Sequence, residues 1–110
     1  MSTNCRFRSA VVSWVRDLGG SDTAFGHRSA LATVQYTATY DSGPATPAVS
    51  YVRGFRTAMT PSWGTGAYVN YADASLTNYM QAYFGSNAGR LARARQTYDP
   101  SGFFTQPQDY

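Results

Sequence analysis

A chain of 110 residues with nine arginines, six aspartates and neither lysine nor glutamate carries a formal charge of +3. That balance is too mild to indicate nucleic acid as a partner, and without lysine there is no Schiff-base amine and no phosphate-loop lysine. One cysteine, Cys5, excludes an intrachain disulfide, and one histidine, His27, excludes the usual multi-histidine sites, so no metal is expected. Residues 1–6 hold no apolar run, and nothing approaches the ~18 apolar residues of a membrane span. The expectation is a soluble, cytoplasmic protein with no membrane partner. The length suits one domain over residues 1–110 with a modest core. Nine tyrosines, six phenylalanines and two tryptophans suit a wet pocket or an interface as well as that core.

In chain order, residues 9–18 place Val11, Trp14, Val15 and Leu18 at helical spacing before Gly19-Gly20, although a strand over 8–15 fits the same residues. Residues 21–28 read as a loop. Over Leu31–Tyr40, Val34, Tyr36, Ala38 and Tyr40 alternate with Thr33, Gln35, Thr37 and Thr39, as a half-buried strand requires. Asp41-Ser42-Gly43-Pro44 breaks it. From Pro47 to Met59, Val49, Val52, Phe55 and Met59 recur at three and four, which predicts an amphipathic helix with Arg53 and Arg56 toward water. Residues 60–66 form a turn-rich connector. Ala67–Tyr71 then alternates as a second strand, with Tyr68 and Asn70 on one face and Val69 and Tyr71 on the other.

Asp73 is placed to cap a helix starting near Ser75 and running through Leu76, Tyr79, Met80 and Tyr83 to a stop at Gly85. Asn87 is placed to cap the next, whose apolar stripe is Leu91, Ala94 and Tyr98 and which Pro100 ends. Arg90, Arg93 and Arg95 read as a solvated helix face, and the tail after Phe104 as extended. The sum is an α+β fold, a small antiparallel sheet covered by helices, with a C-terminal helical hairpin.

The block Tyr68-Val69-Asn70-Tyr71-Ala72-Asp73, followed by Tyr83-Phe84-Gly85-Ser86-Asn87, Arg90-Leu91 and Tyr98-Asp99-Pro100, resembles the C-terminal module of the berberine-bridge-like FAD-linked oxidases. A weaker likeness lies in Asp22-Thr23-Ala24-Phe25-Gly26-His27-Arg28 and around Tyr51-Val52-Arg53. The resemblance implies a substrate domain whose sheet roofs the flavin ring. It implies Tyr71 as the base that takes a substrate proton, Tyr68 as a phenol lining the same cavity, and Asn70 as an amide near the flavin. A phenol ordinarily titrates near ~10, so Tyr71 needs a neighbouring cation or donor, for which Arg28 or another pocket arginine is the candidate. Gln35, on the polar face of the first strand, is a further candidate for substrate or cofactor contact.

The family's flavin-binding portion has no counterpart here, so FAD is expected only with a flavin-binding partner chain, and otherwise no cofactor. Three functions stand open. The first is the substrate-binding, base-supplying module of a flavin-dependent oxidoreductase. The second is a cofactor-free cyclase or isomerase of bacterial secondary metabolism using the same pocket. The third is a non-catalytic binding or assembly protein. The expected partners are a small-molecule substrate and either a second copy or a flavin-binding polypeptide, because a sheet face that meets a large domain would otherwise be bare.

Overall fold

A computed structural model describes residues 17–40 and 42–109 in full and residues 5–8 by their backbone; the helix or strand expected over 9–16 lies outside the described residues. The chain divides into two compact units, one of Met1–Val12 with Ala30–Gly64 and one of Ser13–Ser29 with Thr65–Tyr110.

In the first unit, strand β1 (Cys5–Arg8) runs antiparallel to β2 (Thr33–Tyr36), with Cys5 opposite Tyr36 and Arg8 opposite Thr33. The strand expected over ten residues keeps only these four, and within them the alternation holds: Val34 and Tyr36 are half-buried, Thr33 and Gln35 exposed. Helix α1 (Thr46–Trp63) begins with a proline in its first turn, where the missing N–H costs nothing. It buries Ala48, half-buries Val52, Phe55 and Met59, and packs the Phe55 ring edge-on against Tyr36 at 5.0 Å. The helix runs through the expected connector, past Pro61, and stops at Gly64, whose φ of 77° suits a residue without a Cβ. The Gly64 amide closes the end on the Thr60 carbonyl at 2.8 Å.

The second unit owns the main core. Helix α2 (Tyr79–Phe84) and the turn before it bury Leu76, Ala82, Tyr83 and Phe84, with Ala67, Tyr79, Met80, Ala88 and Leu91 packed around them. Gly85, at φ 54°, stops α2, as its position in the sequence suggests. A short 3-10 turn over Gly85–Asn87 leads into α3 (Ala88–Tyr98). Of the predicted α3 stripe, only Leu91 reaches the core; Ala94 is exposed and Tyr98 is 87% exposed.

Asn87 does not cap α3 with its side chain. It is 2% exposed, and its Nδ2 donates to the carbonyls of Gly20 at 2.7 Å and Thr23 at 3.1 Å. Arg90 also donates to the carbonyl of Ser21, so two polar side chains hold the loop 20–24 whose own backbone forms no ladder. Beside them Gly26 lies so near α2 that a Cβ there would stand 2.8 Å from the Phe84 carbonyl oxygen. Arg95 pairs with Asp99 and, at 3.0 Å, with Asp109, and it bonds the Phe104 carbonyl. Two of the three arginines read as a solvated face are therefore tethers. The Asp99 carboxylate accepts the amides of Phe103 and Phe104 at 2.8 and 2.9 Å and holds both rings outward, 79% and 72% exposed.

The mixed helix-and-strand character stands, but the antiparallel sheet expected from strands over 31–40 and 67–71 is not confirmed among the described residues. Extended structure is reduced to the four-residue pairing of β1 with β2. The second expected strand, 67–71, is instead a 3-10 turn over Val69–Tyr71. The Tyr71 amide turns back to the Tyr68 carbonyl at 2.9 Å, a local bond that replaces a ladder partner. Among the described residues no helix is long and apolar enough to cross a membrane, and no cluster of His, Cys, Asp or Glu could hold a metal ion.

Candidate functional site

The segment 67–73 is anchored to α2 at both ends. At its start the Ala67 amide bonds the Ala82 carbonyl at 2.8 Å, one of the carbonyls a helix end leaves open. At its finish the Asp73 amide donates to the Tyr83 hydroxyl at 2.8 Å. Asp73 is also a cap, though of a turn: its Oδ1 accepts the Ser75 amide at 2.9 Å and the Ser75 hydroxyl at 2.6 Å, and its carbonyl accepts the Leu76 amide. Helix α2 itself starts only at Tyr79.

Between these anchors the 3-10 turn does what a strand would not. In a strand Tyr68 and Tyr71 leave by opposite faces; in a turn of three residues, positions i and i+3 stack. Their ring centroids are 5.8 Å apart. The Asn70 amide donates to the Tyr68 hydroxyl at 2.7 Å, so the first phenol is held by the second residue of the same motif. The Tyr71 hydroxyl has no hydrogen-bond partner among the described residues, and Tyr71 is 67% exposed against 37% for Tyr68.

The weaker of the two sequence likenesses joins the same place. Phe25 sets its ring edge against Tyr68 at 6.0 Å and against His27 at 5.7 Å. The Arg28 guanidinium lies 5.0 Å from the centre of the Phe25 ring, a cation–π distance, and donates to the Thr23 hydroxyl at 2.6 Å. Arg28 thus lies against Phe25, the ring that also packs on Tyr68. His27 Nε2 is buried without a hydrogen-bond partner among the described residues, and its Cε1 would meet a Cβ on Gly66 at 3.2 Å. Of the residues singled out in the sequence, Tyr68, Asn70, Tyr71 and Arg28 lie in the second unit; Gln35 lies on β2 in the first, opposite Arg6.

Phe25, Tyr83 and Gln108 are the supporting residues that sequence reasoning missed. Phe25 and Tyr83 each stood inside a quoted motif, and neither was given a role in holding the phenols. Gln108 sat in a tail read as merely extended, and no local pattern marks it.

The motif residues therefore divide. Asp73, Tyr83, Gly85, Asn87, Arg90 and Asp99 build scaffold, whereas Tyr68, Asn70 and Tyr71 are exposed and support little else. Residues 67–109 match the family model described as berberine and berberine like. The chain belongs to the berberine-like FAD-linked oxidoreductase family. It is 33% identical over 99 residues to the uncharacterized FAD-linked oxidoreductase YgaK of Bacillus subtilis, covering 83% of this chain and 22% of that protein. It is 36% identical over 98 residues to a chitooligosaccharide oxidase of Gibberella zeae, covering 80% of this chain and 19% of the other. A carbohydrate oxidase of Microdochium nivale is 30% identical over 103 residues, 87% of this chain and 21% of the oxidase. The chain thus spans about a fifth of the length of these curated relatives. No solved structure matches it.

The family implies FAD. An exposed amide beside two phenols suits contact with one side of a planar heteroaromatic ring. The described residues include no lysine and no glycine-rich phosphate loop, and Arg90 and Arg95 are already spent on backbone carbonyls and carboxylates. Side chains of these types are of the kind that meet a flavin ring, and neither Arg90 nor Arg95 is placed to hold a pyrophosphate while so engaged.

Proposed function

We propose that these 110 residues form part of the substrate domain of a flavin-dependent oxidoreductase, with Tyr71 as the base toward a substrate hydroxyl. The observation that carries this reading is the phenol pair itself. A turn clamped at both ends to the core presents two adjacent aromatic rings, one hydroxyl held by Asn70 and the other uncommitted. Such a pair is preorganised, which is what positioning a reacting proton demands. Tyr71 Oη takes the proton of the substrate hydroxyl, Tyr68 supplies an aromatic face and a fixed hydroxyl, and Asn70 holds Tyr68 in register. FAD, when bound, would supply the acceptor for the hydride that leaves the carbon bearing that hydroxyl.

Two of the relatives are named as oxidases of sugars, and exposed phenol rings suit the stacked, hydroxyl-rich surface of a sugar. A carbohydrate is accordingly the substrate class proposed. The flavin would be held by another part of the same oxidoreductase or by a separate flavin-binding chain, which also covers apolar side chains such as Phe103 and Phe104. In that setting the two units belong to one domain.

The test is turnover of oligosaccharides by the flavin-loaded oxidoreductase carrying this segment. Tyr71→Phe is expected to lower kcat by about 10²–10⁴-fold while the visible flavin spectrum stays unchanged. Undiminished turnover in that variant removes the base assignment. Turnover without any flavin band supports cofactor-free proton-transfer chemistry instead.

A further inference from the structure

We propose that Gln108 is a positioning residue for the phenol turn, acting through the peptide unit of Asp73. Its side chain closes a ring of three hydrogen bonds. The Asp73 amide donates to the Tyr83 hydroxyl at 2.8 Å, the Tyr83 hydroxyl donates to Gln108 Oε1 at 3.0 Å, and Gln108 Nε2 donates back to the Asp73 carbonyl at 2.9 Å. The N–H and the C=O of Asp73 are thereby both fixed, one directly and one through a buried phenol, two residues beyond Tyr71. A primary amide suits this place, because it accepts from a hydroxyl and donates to a carbonyl at once. A carboxylate of the same length keeps the first bond and turns the second into a repulsion.

The segment carrying Gln108 is itself lashed down. The Tyr79 hydroxyl donates to the Asp109 carbonyl at 2.6 Å, and Arg95 pairs with the Asp109 carboxylate. The residue holding the turn therefore rests on both α2 and α3. The anchor at Ala67 bonds the same helix, so the turn that carries Tyr68 and Tyr71 is held at one end by backbone and at the other by the Tyr83 hydroxyl, the Leu76 amide and this side-chain amide. A slip of the Asp73 peptide changes how Tyr71 meets Tyr68, because nothing else among the described residues holds the Tyr71 side chain by a hydrogen bond.

This inference deepens the reading of Tyr71 as a base and rests on it for its catalytic meaning, yet its geometric content is measurable without turnover. The full chain is labelled with ¹³C at the tyrosine rings, and Gln108→Glu and Gln108→Ala are compared with the native protein by NMR. In Gln108→Glu the Tyr71 and Tyr68 ring signals are expected to shift and broaden, and the Asp73 amide to exchange about fivefold faster or more. The Leu91 amide in α3 should keep its protection. Unmoved Tyr68 and Tyr71 signals in both variants, with only a lower Tm, overturn the proposal and leave Gln108 a stability element. If Gln108→Ala does not fold, the glutamate variant decides alone. Should the signals move while Tyr71→Phe retains full turnover, the positioning stands and the base assignment falls.

Discussion

The two units solve the same problem with unequal means. In the first, Ala48 is the one buried apolar residue among those described, and the larger side chains of α1 are half-covered at best. In the second, Leu76, Ala82, Tyr83 and Phe84 are buried together, and Asn87, Arg90, Arg95, Asp99 and Gln108 tie loops that have no ladder of their own. A short α2 of six residues is far below the length at which a helix is stable alone. It persists because its side chains serve as the hub for segments from both directions. The family signature falls in this hub, and the difference teaches why: a pair of phenols can be presented outward only where the backbone behind them is over-determined.

Three substitutions test this contrast. Phe84→Ala empties the centre of the second unit and is expected to cost about 3–5 kcal/mol, measured as a fall in the denaturant midpoint. Asn87→Ala removes two bonds from a buried amide and orphans the carbonyls of Gly20 and Thr23, an expected loss of about 2–3 kcal/mol. Its signature is faster amide exchange in residues 20–26. Phe55→Ala acts on the half-covered α1 and should cost about 1–2 kcal/mol, with faster exchange in α1. If Phe55→Ala proves as damaging as Phe84→Ala, the first unit is better packed than its exposures indicate and the contrast fails.

How far the sequence could be read follows the same division. Helix α1 was legible because Val49, Val52, Phe55 and Met59 repeat at helical spacing, and Gly85 was legible as a stop because a positive φ favours glycine. The 67–71 turn was not. Its alternation of aromatic and polar residues is what a strand shows, and a single bond from Tyr71 to the Tyr68 carbonyl outweighs that pattern. Asn87 stood in a capping position, but its amide serves residues more than sixty positions away, and no local rule carries that information. Arg90 looked solvated for the same reason, since its partner Ser21 is 69 positions away, whereas the pairing of Arg95 with Asp99 is a local i,i+4 spacing that sequence reasoning missed. The phenols stood out in the sequence as a pair; that their rings meet through a 3-10 turn, with Phe25 as buttress, was visible only in three dimensions.

Asp99 fixes Phe103 and Phe104 with their rings in water, and ten other large apolar side chains among the described residues are also more than a third exposed. Unfolding a chain that is already so extensively wetted uncovers little new hydrocarbon. Its heat-capacity increment and its sensitivity to urea should therefore be small for 110 residues, giving a shallow stability curve across temperature. Burial of those same rings against a companion surface would restore the steeper curve of an ordinary enzyme domain.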